Sequence, residues 1–206
     1  MAVPDATLRA WVTGRSLARG VPAPVADRGG WRVDTGMPDE ACRWIFAAAC
    51  PGLSELAETI AEPGRLLKWC GTADAVALPA RWRVEGGTWF MRSDTPPPEP
   101  HLPAGYRIDL IEERARVQVT IRTLSGDRAA NGYAAETPDA FIYDRIVTEA
   151  DHRRKGLGRA VMAALGATRR DRAIPQLLVA TDAGRQLYAT LGWSVLAPYT
   201  TAAVAG

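Results

Sequence analysis

Apolar and polar residues alternate along part of this 206-residue chain and then change to a spacing of about four. Val117, Val119 and Ile121 are separated by polar residues, the period of a half-buried strand. Tyr106 to Ile111 reads as the strand before it. Ser125-Gly126-Asp127 supplies a hairpin turn into a third strand, Ala129 to Glu136. Thr137-Pro138-Asp139 turns again into a fourth, Ala140 to Thr148. Leu157, Val161, Leu165 and Thr168 then mark one stripe of a helix from Gly156 to Arg170. Leu177 to Ala180 follows Pro175 as a short strand, a helix over Asp182 to Leu191 stops at Gly192, and Trp193 to Leu196 is a last strand. The pattern predicts an α/β domain: four antiparallel-type strands, helix, strand, helix, strand.

The first half is patterned differently. Gly30 to Asp34 reads as a strand, and Pro38 to Glu62 as two helices broken at Pro51-Gly52. The first helix rests on Cys42, Ile45, Phe46 and Ala49, the second on Leu53, Leu56 and Ile60. Leu66 to Cys70 and Trp82 to Met91 are further strands. Residues 93–105 carry five prolines and resist regular structure, a polyproline strut or surface strap. The chain therefore divides into an amino-terminal α/β region (1–92), a linker (93–105) and a second domain (106–206). Six of the seven tryptophans lie in the first region, where core packing is a better use for them than lining a pocket.

Composition narrows the function. A 47% share of hydrophobic residues supports a sizeable core. With 25 basic and 23 acidic residues the net charge is only +2, which gives no basic stripe for nucleic acid. Cys42, Cys50 and Cys70 have no metal-ligand spacing, and His101 and His152 are too few for a histidine cluster, so no metal is expected. No run approaches the ~18 apolar residues of a membrane span, and Asp5 and Arg9 interrupt any leader-like segment. A cytoplasmic protein without membrane or nucleic-acid partners is expected; a homodimer is left open.

The strongest chemical signal lies where the fourth strand meets the long helix. Arg153, Arg154 and Lys155 lead into Gly156-Leu157-Gly158 at the helix start. A helix start has unpaired N–H groups and the positive end of the dipole, and glycines let an anion approach the backbone. Pyrophosphate binding is the chemistry suggested. The run is neither a dinucleotide fingerprint, which needs a third glycine and a later acid, nor a P-loop, which needs Gly-Lys-Ser/Thr. A loop-shaping glycine pair beside a solvated basic face is the alternative.

The segment Ile146 to Met162 resembles the coenzyme A motif of the GNAT N-acetyltransferase superfamily, Gln/Arg-x-x-Gly-x-Gly/Ala after a core strand, which Arg153, Gly156 and Gly158 satisfy. Leu187-Tyr188-Ala189-Thr190-Leu191-Gly192-Trp193 resembles that family's second landmark, and the two stand in the family's order. The resemblance covers about residues 104–200. It implies the GNAT acyltransferase fold, a mixed, mostly antiparallel sheet flanked by helices, here with an extra amino-terminal α/β half. It also implies acetyl-CoA as cosubstrate and direct transfer of the acetyl group to a primary amine of a small molecule or peptide. Backbone groups of Ile146, Val147 and Thr148 would pair with the pantetheine arm, and the amides of Arg154, Lys155, Gly156, Leu157, Gly158 and Arg159 would hold the pyrophosphate beside Arg153. Thr181 stands where the family often contacts the cofactor, although capping the next helix is its simpler use. Tyr188 is the expected general acid. Asp144 is the candidate base, on the reasoning that strand alternation puts it on one face with Ile146; pairing with Arg145 or Arg122 competes with that role, and Glu136 is a second candidate. Two helices that the family usually places between its first two strands are missing, so the first half is expected to be a degenerate GNAT-like unit forming the acceptor wall. A catalytically inactive acyl-CoA-binding module is the alternative function.

Overall fold

The computed structural model describes residues 3–96, 99 and 101–204. Pro97, Pro98 and Pro100 lie outside the described residues, and the polyproline expectation for them with it. The strands are β1 (Val25–Asp27), β2 (Gly30–Asp34), β3 (Cys42–Phe46), β4 (Arg65–Cys70), β5 (Trp82–Val84), β6 (Thr88–Ser93), β7 (Tyr106–Glu113), β8 (Arg116–Thr123), β9 (Arg128–Glu136), β10 (Phe141–Thr148), β11 (Gln176–Thr181) and β12 (Ser194–Val204). The helices are α1 (Asp5–Arg19), α2 (Pro51–Thr59), α3 (Leu157–Ala167) and α4 (Asp182–Ala189). All strands join one sheet, ordered β1-β2-β3-β4-β12-β6-β11-β10-β9-β8-β7, with β5 also on β12. The α/β class and mostly antiparallel sheet expected from the sequence are found.

The halves interleave. Strand β6, from before the proline-rich segment, pairs with β11 from after it. The carboxy-terminal β12 crosses the other way and lies between β6 and β4. Thr95 continues this joint, because Gln176 donates to its carbonyl at 2.6 Å. Each half also contains one parallel pair joined by a helix, β3-α2-β4 and β10-α3-β11.

One helical expectation is overturned, and one helix forms where none was expected. The stretch from Cys42 to Phe46 is a strand, not a helix. It lies between β2 and β4 with all five residues buried, so both of its faces must suit a core, and a short apolar run cannot distinguish that from a helix. The unpredicted α1 forms on Leu8, Trp11 and Val12, and Gly20 closes it in the left-handed region, donating to Leu17 and Ser16 carbonyls. Gly86 and Gly87 divide the single strand expected over Trp82 to Met91 into β5 and β6.

Helix α1 packs on one face of the sheet through Leu8, Trp11 and Val12, against Ile45 and Phe90 as well as Ile142 and Leu177, so it covers strands from both halves. On the other face α2 lies over Trp44, Leu67 and Trp69. There α3 and α4 lie over Val119, Phe141 and Leu178. Trp11, Trp44, Trp69 and Trp82 are buried in these clusters, the core use expected of them.

Candidate active site

The parallel pair of the second half is open. Strands β10 and β11 pair at only two positions, Phe141 with Gln176 and Ile142 with Leu177. Beyond these, β10 continues to Thr148 and β11 to Thr181 without further pairing to each other. Their facing backbone groups therefore lack ladder partners, and such groups need a partner or water. The equivalent pair of the first half is closed: β3 and β4 stay in register over five positions, from Cys42 with Arg65 to Phe46 with Trp69. An extended ligand arm has a slot in the second half and none in the first.

A bulge sits at the mouth of this slot. Asp144 pairs with Tyr133 and Val147 with Asn131, so Arg145 and Ile146 together stand opposite Gly132. Arg145 takes φ 51°, the left-handed conformation that absorbs the extra residue. The bulge interrupts strand alternation, which corrects the shared face expected for Asp144 and Ile146. Ile146 packs toward α3: a Cβ on Gly132 would meet Val161 Cγ1 at 2.6 Å and Ile146 Cγ1 at 3.1 Å. Asp144 points the other way, toward α1.

There Asp144 is held by three arginines. Arg19 Nε donates to it at 2.7 Å and Arg19 Nη2 at 3.1 Å. Arg15 Nε stands 3.5 Å and Arg145 Nε 3.2 Å from it. Burial favours the neutral acid, but Arg15, Arg19 and Arg145 overcome it and hold the carboxyl below its ordinary range. A carboxylate so stabilised is a weak proton acceptor. The pairing with Arg145 weighed from the sequence is present; Arg122 instead bonds Asp109 at 3.1 Å. Glu136 is engaged elsewhere, accepting from the backbone N–H groups of Arg170 and Asp171 beyond α3. Arg15 and Arg19 were not anticipated as site residues, since only the fold brings α1 to β10.

The basic turn follows β10. Arg153 Nε donates to the Thr148 carbonyl at 3.3 Å and Lys155 Nζ to the Asp151 carbonyl at 3.0 Å, so both side chains fold back along the turn. Arg154 (φ 60°) and Gly156 (φ 77°) are left-handed, and Gly156 occupies the N-cap of α3 without a side-chain cap. The first intrahelical bond runs from the Ala160 N–H to the Gly156 carbonyl, leaving the N–H groups of Leu157, Gly158 and Arg159 as unpaired first-turn donors. Helix α4 arrives beside them: Leu187 Cδ2 stands 3.2 Å from where a Cβ on Gly158 would lie.

Thr181 caps α4, accepting from the Gly184 N–H at 3.2 Å. Tyr188 is 7% exposed and shares a core cluster with Leu157 and Leu178. Burial pushes its phenol up to about 12, so it keeps its proton at neutral pH. After it the Trp193 N–H returns to the Tyr188 carbonyl at 3.1 Å around left-handed Gly192. A Cβ on Gly192 would also come within 2.9 Å of Thr95 Oγ1, which explains the Leu-Gly-aromatic ending. No described helix is long and apolar enough to cross a membrane, and the described residues hold no cluster of three metal-ligating side chains.

An open parallel pair, a bulged strand and an uncapped glycine-led helix start define a fold as well as a site. The fold is that of the GNAT acetyltransferases. A GCN5-related N-acetyltransferase from Kribbella flavida superposes with a TM-score of 0.66 at 17% identity, covering 100% of this chain and 97% of its own. A putative GNAT-family acetyltransferase from Novosphingobium aromaticivorans does so with a TM-score of 0.58 at 21% identity, covering 95% and 96%. A tandem GNAT protein from the clavulanic acid biosynthesis pathway matches with a TM-score of 0.54 at 12% identity, covering 86% and 79%. No family model and no curated protein matches the sequence.

Proposed function

We propose that this protein is an acyl-CoA-dependent N-acyltransferase that moves an acetyl group from acetyl-CoA directly to a primary amine. The observation that carries the reading is the two-position pairing of β10 with β11, which opens beside the uncapped start of α3. Acetyl-CoA, when bound, would present an activated thioester.

The residues divide the work. First-turn N–H groups of Leu157, Gly158 and Arg159, with the turn from Arg153 to Gly156, neutralise the pyrophosphate. Backbone groups of Ile146, Val147 and Thr148 pair with the pantetheine arm, and the Ile146 N–H polarises the thioester carbonyl. The amine nitrogen forms a bond to the carbonyl carbon, the carbon–sulfur bond breaks, and the Tyr188 phenol gives its proton to the departing sulfur. Tyr188 regains a proton from solvent, and the proton of the amine leaves to water. Asp144, tied to its arginines, organises the acceptor wall instead of taking that proton. Thr181 serves as the helix cap.

The test couples binding to turnover. Calorimetry follows binding of coenzyme A, and a thiol reagent follows its release from acetyl-CoA across an amine panel. Gly158→Val should weaken coenzyme A binding about tenfold or more, because the added side chain enters the space shared with Leu187. Tyr188→Phe should lower kcat about a hundredfold with little change in that binding. Binding without thiol release from any amine would support the catalytically inactive acyl-CoA-binding module instead.

A further inference from the structure

The α1 face carries a second concentration of charge, to which acyl transfer as described assigns no bound group. Glu40 accepts from Arg43 Nη1 at 3.3 Å, lies 3.2 Å from Lys68 Nζ and stands 4.0 Å from Arg19 Nη1. Arg19 links this group to Asp144, which Arg15 and Arg145 also face. Five cations (Arg15, Arg19, Arg43, Lys68, Arg145) thus surround two carboxylates, leaving three positive charges uncompensated within the cluster.

Several of these groups are buried beyond what a structural ion pair requires. Arg43 is 1% exposed, and its Nε and Nη2 have no hydrogen-bond partner among the described residues; neither has Arg15 Nη1. Orphaned buried donors of a charged group are costly, and an anion is the partner that satisfies them best. Burial, then the nearby Arg15, lowers the Lys68 ammonium to about 8 and the Arg43 guanidinium to about 10.

There is room for the anion. A cavity of about 230 Å³ opens between the end of α1, the β2–β3 loop and the β10 bulge, and Arg19, Arg43 and Arg145 line it. Asp39, the lining acid besides Glu40, is exposed, so solvent screens it from the interior. The cavity is smaller than the several hundred Å³ of a drug-sized site, which suits a small molecule. Arg145, which lines the cavity, directly precedes Ile146 at the mouth of the slot, so the cavity and the slot share the β10 bulge.

We infer that this arginine-lined cavity binds the carboxylate of the acceptor, which is therefore a small amino carboxylate of the free amino acid class. The assignment as acceptor rests on the acyltransferase reading; the anion subsite itself does not.

The experiment keeps the two apart. Calorimetry on the full chain with coenzyme A present compares each of the common amino acids with its decarboxylated amine, such as leucine with 3-methylbutylamine. At least one amino acid should bind about tenfold or more tightly than its amine, and Arg43→Met should erase most of that preference. Should Arg43→Met fail to fold, Arg145→Asn repeats the measurement: its side chain is 38% exposed and Asn tolerates the left-handed backbone. Equal binding within every pair, or a preference unchanged in the folded variants, overturns the subsite. Thiol release from acetyl-CoA is followed on the same pairs. Carboxylate-selective binding without release keeps the subsite and refutes acyl transfer; release without carboxylate preference does the reverse.

Discussion

At the residue scale, one carboxylate shows how environment overrides identity. From the sequence, Asp144 is an acid two positions before Ile146 on the same strand and hence a candidate base. In the fold it is nearly buried among Arg15, Arg19 and Arg145, and its proton affinity falls. A group whose folded pKa is depressed contributes stability above its ordinary value of 3.8 and loses it as pH falls through the folded value. The Asp144 contribution to stability should therefore be flat from about pH 5 to 9, and the rate profile should show no acid limb from this residue near neutrality. Asp144→Asn leaves the arginines uncompensated and should cost about 3–5 kcal/mol, read by urea unfolding at pH 7. A much smaller loss would mean that the arginines already share another counter-ion.

At the element scale, the site depends on the approach of α3 to the bulge of β10. Gly132 makes that approach possible, because any Cβ there would meet Val161, Ile146 and Leu165 within 3.2 Å. Gly132→Ala should cost about 1–3 kcal/mol and weaken coenzyme A binding, since helix and bulge must separate; thermal unfolding and calorimetry check both. The elements were unequally legible. Strands β8 to β10 and helices α3 and α4 were readable because alternation, turn residues and a glycine stop agree locally. Strand β3 was not, because a five-residue run buried on both faces carries no diagnostic period. Helix α1 could have been found from Leu8, Trp11 and Val12 ahead of Gly20. The basic turn was legible for a local reason: its left-handed glycine, cations and helix start are contiguous in the chain. The arginine cavity was not, because α1, the β2–β3 loop with β3, and β10 supply its charges from three separate stretches of the chain.

At the scale of the whole molecule, the exchange of β6 and β12 makes each half depend on the other. Without residues 1–92, β11 would lose its β6 partner and the α1 face of β10 would lose its cover. An acceptor wall in this half would by itself make its removal cost acceptor turnover; the interleaved sheet predicts a stronger outcome. Residues 106–206 expressed alone should aggregate, whereas fragments 1–96 and 97–206 expressed together should assemble into one species by size-exclusion chromatography, because the interleaved strands and α1 recreate the sheet. A soluble, folded 106–206 fragment would refute this dependence. What the sequence determined by itself was the local grammar: strand periods, turns and a basic, glycine-led helix start, all set by neighbours within a few residues. The tertiary structure alone decided that the second parallel pair opens while the first stays closed, that a bulge turns Asp144 away from Ile146, and that cations from both halves meet at one cavity. Those outcomes depend on register and on packing between residues far apart in the chain, such as Arg19 and Asp144 at 125 positions, and neither quantity is written in any local stretch of the chain.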